Sequence, residues 1–438
     1  FPWTNDPADG NAHVFFDDVR VRLNAELPAG AVLRLVWEAP AEAAYAIVDR
    51  VDAEWVEPPY PQPEGSLSIL GFGAIADDGQ DDSGAILACI AEAAKQGREV
   101  FLPAGAFEVS NPVLVQGIWL SQKGTVIRGA GMWHTTLTGP YAYFTFKNSN
   151  IALRDFSMIG RADLRRDTFP TAMTSDFNRF DLRDIDVSNV WVEHYNIGLW
   201  VNCIDRLHIT GCRFRNTYAD GVNLRRGTSN SVVEQCDFRN NGDDGIAQWS
   251  AAVSDRNNKI RFNTVSLPWL ANNIAVYGGI DIEITDNLLR DTVSFGGGVN
   301  ISTKFDPQPF AGVIRVARNA FERTGSRDWD IPKEYGAIWI NTVEGFDNDA
   351  TLIVQDNDIL DSGYHGICFT GGGRLADARV EGNRIQGVAL QPVYVDPPVR
   401  GQLWFGGNEG MSRPDGLEGS GAERLVTWQE ERSIETNP

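Results

Sequence analysis

The sequence predicts an all-β chain wound as a right-handed parallel β-helix, with a capping helix and a small strand-rich region ahead of it. Three observations carry this reading: a repeated column of Asn or Cys, a second column led by Gly, and one convincing amphipathic helix among short β-branched and aromatic runs.

The segment Val56 to Gly65, VEPPYPQPEG, interrupts two differently patterned regions and reads as a linker. It divides the chain into a β-strand-rich, sandwich-like region, 1–64, and a β-helix domain, 65–438. Before the linker, the runs His13 to Leu23, Ala31 to Trp37 and Ala44 to Val51 have the pattern of short strands. After it, Asp81 and Asp82 offer N-caps, AILACIAEAAK carries apolar residues at helical spacing, and Gly97 marks the stop. A helix here would cap the solenoid, whose bare end would otherwise expose strand edges.

Beyond the helix the repeat takes over. Asn189, Cys212, Cys236, Asn263, Asn287, Asn319, Asn357 and Asn383 form the first column, and two residues after each stands an apolar side chain: Trp191, Phe214, Phe238, Val265, Leu289, Phe321, Ile359 and Ile385. The intervals vary, as a solenoid permits when extra residues leave as loops. The second column, Gly198, Gly221, Gly245, Asn273, Gly298, Gly336 and Gly366, opens a strand in each coil. Placed in the inward column, Trp191 is expected to fill the core, and Cys212 and Cys236 are expected to be buried free thiols.

Charge narrows the function. The 438 residues carry 38 Lys and Arg against 59 Asp and Glu, a net charge of −21, which opposes nucleic acid, anionic membranes and polyanionic substrates. Five cysteines without a CxxC pair indicate neither a disulfide framework nor a zinc ribbon. No apolar run is long enough to span a membrane, and the chain begins at Phe1 rather than Met, as a processed or trimmed form would. With 13 Trp and 10 Tyr, the composition suits a neutral polymer that stacks on rings.

In two consecutive coils an aspartate precedes the column residue: Asp220 in YADGVN and Asp244 in GDDGIA, with Asp243 beside the latter. Equivalent positions in adjacent coils lie about 4.8 Å apart. Three carboxylates therefore converge and repel one another, raising at least one pKa, as acid and base catalysis on a glycosidic bond requires. Asp-Gly is also a turn dipeptide, and clustered carboxylates also bind calcium, so both readings stand beside catalysis. Strand alternation points Trp200, Asn223, Ala247, Ala275 and Asn300 outward, with Arg225, Trp249, Tyr277 and Ser302 two residues on. Trp200, Asn223, Arg225, Trp249, Tyr277 and Asn300 are the candidate sugar contacts, with His194 and Trp133 as further candidates. The insertion Thr324 to Tyr335 is expected to overhang the same face.

Two resemblances follow from these residues. Ile69 to Ser110 resembles the opening coil and cap helix of the pectate-lyase-like β-helix superfamily. The segments YAIVDRVDAEWVEPP, GAGMW, VWVEHYNIGLW, NTYADGVN, GDDGIAQWS, LPWLANNIAVYGG, NLLRDT and RTGS resemble glycoside hydrolase family 87, the α-1,3-glucanases (mutanases) and mycodextranases, over most of residues 40–370. The resemblance implies that Asp220, Asp243 and Asp244 are catalytic and that the reaction is inverting, endo-type hydrolysis of an α-glucan. No cofactor is required, although a structural calcium ion fits the acidic composition. Similarity to the polygalacturonases of family 28 extends to the three carboxylates but fails where a Gly-His-Gly or Arg-Ile-Lys motif should follow. It suggests Asp243 as general acid and Asp220 with Asp244 as the water-activating pair, about 6.5–9.5 Å away. The competing readings are a mycodextranase acting on nigeran, a calcium-dependent polysaccharide lyase, and a non-catalytic tailspike-like carbohydrate binder. A secreted monomer is expected, because an insoluble glucan is met outside the cell and the outward residues form no continuous apolar seam.

Overall fold

Stacking governs the strands of the solenoid, because each pairs in parallel with its counterparts in the coils before and after it. In the computed structural model, which describes residues 17–23, 25–36, 47–48, 50–114, 117–162, 165, 170–328, 333–411 and 424–428, the strands form an 11-stranded parallel sheet and a 23-stranded one. One coil shows the pattern: Val222–Arg225 joins the smaller sheet, then Val232–Glu234 and Asp237–Arg239 join the larger. The fold is the predicted parallel β-solenoid.

The kink between the last two strands of each coil is where the asparagine column acts. Asn319 Nδ2 donates to the carbonyls of Ile284 (2.9 Å) and Ala317 (3.2 Å) and to Asn357 Oδ1 (3.1 Å), while its own Oδ1 accepts from the amide (3.0 Å) and Nδ2 (2.9 Å) of Asn287. The same relay runs Asn263, Asn287, Asn319, Asn357, Asn383 and Asn408, all but Asn408 fully buried. It satisfies backbone groups that the kink removes from the ladder, which would otherwise be buried without partners. Cys236 sits below the last asparagine: its amide donates to Asn263 Oδ1 (3.0 Å), and the Cys212 amide meets Cys236 Sγ at 3.4 Å. Both cysteines are free thiols.

Two residues further along, Phe214, Phe238, Val265, Leu289, Phe321, Ile359 and Ile385 stand in strict register and are buried. The Phe214 and Phe238 rings stack at 5.1 Å. The first coil departs from the predicted alignment by one residue. Trp191 pairs with Arg213, so Val192 enters the core and Trp191 faces outward. Trp191 is nevertheless buried, because Arg20 (4.0 Å), Arg213 (4.6 Å) and Trp133 (5.0 Å) close over its ring. The slip arises at Asn189, which turns the chain through a left-handed corner (φ 52°) one residue before the position of Cys212. A similar slip affects the second column, where Ala337 rather than Gly336 stands level with Gly298 and Gly366.

The helix α1, Ser83–Gln96, closes the first coil, burying Ile86, Cys89, Ile90 and Ala93 in the main core. Asp81 caps it by accepting from the Ser83 amide (3.3 Å), and Gly97 ends it at φ 62°. Asp82 instead pins two loops, accepting from the amides of Ile75 (2.9 Å) and Glu108 (3.2 Å).

The amino-terminal runs differ from expectation. Residues 1–16, 24, 37–46 and 49 lie outside the described residues, and the described parts of 17–66 form no strand. Their alternating apolar side chains find no sheet to cover: Val19 and Val32 are each 87% exposed. What holds this segment is charge. Asp18 exchanges backbone hydrogen bonds with the Asn216 side chain (both 3.0 Å), Arg20 pairs with Glu193 (3.0 Å), and Glu54 pairs with Arg213 (2.7 Å). The segment is an irregular strap across the larger sheet.

Asn319→Ala removes two relay contacts and strands buried donors and acceptors on both neighbours, so a loss of about 2–4 kcal/mol is expected. Cys236→Asn extends the relay downward by one coil and is expected to raise the melting temperature. Thermal melts of both variants check the two signs.

Candidate active site

The carboxylates sit in the turn that feeds each coil into the 11-stranded sheet. Register places Asp220, Asp244 and Asn272 one above another, because Val222, Ile246 and Ile274 pair directly. The turn residues build a second relay: the Asp244 amide donates to Asp220 Oδ1 (3.2 Å), the Asn272 amide to Asp244 Oδ1 (2.9 Å), and the Gly297 amide to Asn272 Oδ1 (2.9 Å). One oxygen of each stacked aspartate is thus committed to the fold. The other is held by a side chain: Asn223 Nδ2 donates to Asp220 Oδ2 (2.7 Å) and Tyr277 Oη to Asp244 Oδ2 (3.5 Å).

Asp243 is displaced by one residue and forms an ion pair with Arg165 at 2.5 Å. An oxygen from each of Asp220, Asp243 and Asp244 lies within 4.8 Å of the others. Burial, reinforced by the Asp243 charge, pushes the Asp220 carboxyl up to about 7. Burial, then the charges of Asp243 and Asp220, pushes Asp244 well above the usual carboxylate range. Burial and crowding thus favour the protonated form of the stacked pair near neutral pH. One oxygen from each carboxyl also approaches the others more closely than the expected separation of about 6.5–9.5 Å. Calcium, which takes six to eight oxygens, fits poorly, because Asp220 and Asp244 each spend an oxygen on a backbone amide and a guanidinium already faces Asp243.

The outward rows have the predicted register: Trp200, Asn223, Ala247, Ala275 and Asn300 form one, and Arg225, Trp249, Tyr277 and Ser302 the next. The Arg225 guanidinium lies 4.5 Å from the Trp249 ring centre and 5.5 Å from that of Trp200. The hairpin Arg327–Asp328 with Lys333–Glu334 does overhang this face, stacking Tyr335 on Trp339 at 4.0 Å. His194 and Trp133 belong elsewhere. His194 occupies a left-handed corner and its Nε2 faces Asp17 at 3.7 Å. Trp133 lies in a turn of the larger sheet, packed edge-on against Trp191 and bonded to Glu54. Both are covered by the strap, whose course the local sequence does not reveal. Two site residues escape the sequence reading. Asn272 was open to detection, since it precedes Asn273 in the second column as Asp244 precedes Gly245. Arg165 comes from the excursion between Ile151–Ile159 and Thr171–Ser175, with no repeat position to mark it.

A raised folded-state pKa on an acid means that the native chain binds more protons than the unfolded one between about pH 4 and 7, so stability falls as pH rises through that window. Asp220→Asn removes the share of this dependence that Asp220 contributes, and Asn223 can flip its amide because its Oδ1 has no protein partner. Melting temperatures measured from pH 4 to 8 are expected to show the variant gaining on the parent as pH rises.

Comparison with known proteins places this geometry in context. The catalytic unit of a thermostable family 87 α-1,3-glucanase from Streptomyces thermodiastaticus strain HF3-3 superposes with a TM-score of 0.75 at 27% identity, over 86% of this chain and 71% of that one. The Agl-KA catalytic domain does so with a TM-score of 0.67 at 25% identity, over 86% and 69%. A variant family 87 catalytic domain in complex with nigerose gives a TM-score of 0.67 at 23% identity, over 85% and 69%. No curated protein matches the chain. The model of the α-1,3-glucanase catalytic domain D2 matches residues 82–402, which contain the three carboxylates with their relay, the outward rows and all of the asparagine relay but Asn408. The chain thus belongs to the α-1,3-glucanase catalytic domain family of glycoside hydrolase family 87.

Proposed function

We propose that this chain hydrolyses α-1,3-glucosidic bonds within an α-glucan, with Asp220 as general acid and Asp243, assisted by Asp244, as the base that activates water. The observation that carries the reading is the stacked carboxyl cluster, which keeps one proton beside one ion-paired carboxylate on a face lined by Trp200, Arg225 and Trp249. Asp220 gives its proton to the glycosidic oxygen as the bond to the anomeric carbon breaks. Water attacks that carbon from the opposite side and loses its proton to Asp243, while Tyr277 holds Asp244 in place. A carboxyl titrating near 7 is matched to donation at neutral pH.

Related structures support the substrate class, since family 87 catalytic domains have been captured with nigerose and with tetrasaccharides. The aspartates replaced in those complexes are spaced along their own chain as Asp220, Asp243 and Asp244 are along this one. We infer endo action by a secreted monomer, because the site lies on an open sheet face and its polymer substrate is insoluble. Inversion is the outcome implied by the family resemblance. The short carboxylate separation favours a second reading, retention with Asp243 as nucleophile.

Digestion of α-1,3-glucan and of nigeran, with products separated by chromatography, tests the substrate. Release from α-1,3-glucan is expected, release from nigeran alone makes the protein a mycodextranase, and release from neither refutes the reading. Each Asp→Asn variant is expected to lose at least about a hundredfold in rate. On a substrate whose leaving group needs no proton, Asp220→Asn should recover and Asp243→Asn should not. NMR of the first product anomer separates inversion (β) from retention (α).

A further inference from the structure

The carboxylates occupy the edge where chain enters the 11-stranded sheet. At the opposite edge, two corner loops leave it: 303–309, after Val299–Ser302, and 342–347, after Gly336–Asn341. Between them lies a cavity of about 430 Å³ lined by Thr303, Pro307, Pro309, Phe346, Asp347 and Arg400, among others. That size falls in the range of about 300–1,000 Å³ that holds small ligands.

Three features of this cleft point to a ligand of the same chemistry as the groove. First, it presents a ring on a fixed mount. Thr303 Oγ1 accepts from the Val343 amide (2.8 Å) and donates to the Phe346 carbonyl (3.4 Å), and the Phe346 amide closes the turn onto the Val343 carbonyl (3.0 Å). Phe346 is nonetheless 40% exposed. Second, its charges cancel locally. Asp347 and Asp349 pair with Arg374 (3.4 and 2.5 Å), and Arg400 donates to the Gly372 carbonyl (2.6 Å). Paired carboxylates retain acceptor lone pairs and the Arg400 guanidinium retains donors, so the surface suits hydroxyl groups better than a polyanion or a free cation. Third, it continues the catalytic face. The Tyr277 hydroxyl reaches Asp244, while its ring packs edge-on against Phe305, in the first corner loop, at 5.1 Å. A strand of four residues spans about 13 Å, and three rungs of about 4.8 Å separate Ile246–Trp249 from Gly336–Asn341, so the cleft lies diagonally across the same sheet face from the carboxylates.

We propose that this cleft is a second glucan-binding site, in which Phe346 stacks on a glucosyl ring of the chain bound at the carboxylates or of its neighbour in the insoluble polymer. The proposal rests on the glucanase reading above. Its use is retention: a chain held at a second point stays at the surface of the solid between cleavages.

The test measures depletion of protein by insoluble α-1,3-glucan, in an Asp243→Asn background so that the polymer survives. Phe346→Ala is expected to weaken binding about tenfold, the loss of one aromatic contact, and Phe346→Trp to restore it. With Asp243 intact, Phe346→Ala should hydrolyse a soluble α-1,3-linked tetrasaccharide at the parent's rate. Undiminished polymer binding by Phe346→Ala overturns the proposal, as does loss of tetrasaccharide hydrolysis in step with binding. Polymer binding that depends on Phe346 in a protein that cleaves no α-1,3-glucan would uphold the cleft while refuting the glucanase reading.

Discussion

Register is the constraint on which the rest of this molecule depends. A coil that slipped by one residue would turn every inward side chain outward, and it would also separate Asp220 from Asp244. The asparagine relay fixes that register from inside, since each amide from Asn263 to Asn383 binds its neighbour's oxygen and one or two carbonyls at once. The carboxylate relay fixes it again on the outside, through Asp220, Asp244 and Asn272. The same hydrogen bonds that hold the coils together also bury the acids and hold them side by side. That burial and crowding raise the pKa values of Asp220 and Asp244, against the hydrogen bonds themselves, which lower them.

That arrangement sets chemistry against stability in a definite place. Stacked carboxylates would be cheaper to keep apart, and their mutual repulsion falls on the native state. Arg165 relieves it at one corner only, by pairing with Asp243. The consequence is a difference of environment within a trio of identical side chains: one ion-paired and partly exposed, two buried and reluctant to ionise.

The solenoid and the carboxylate trio were legible in the sequence because they follow the period of a coil, and the cap because its apolar residues recur at helical spacing between Asp82 and Gly97. Seven apolar positions from Phe214 to Ile385 align as predicted, and the outward rows from Trp200 to Ser302 follow by alternation alone. Errors fell where the period breaks. Asn189 and Gly336 each stand one residue from the true column, at a left-handed corner and beside the overhanging hairpin. His194 and Trp133 were misplaced, and Arg165 missed, because non-repeating segments decide their neighbours. The ion pair that sets Asp243 apart from its two neighbours could not be read from spacing, since it comes from a residue 78 positions away.

The shared proton is the claim most directly open to measurement. Titration of the aspartate side-chain carboxyl carbons by ¹³C NMR should reveal one midpoint near 7, from Asp220, and another near 8, from the buried Asp255 beneath the amides of Gly227 and Thr228. Asp220→Asn should remove the first and leave the second. A spectrum in which every aspartate carboxyl has titrated below pH 5 would contradict the account.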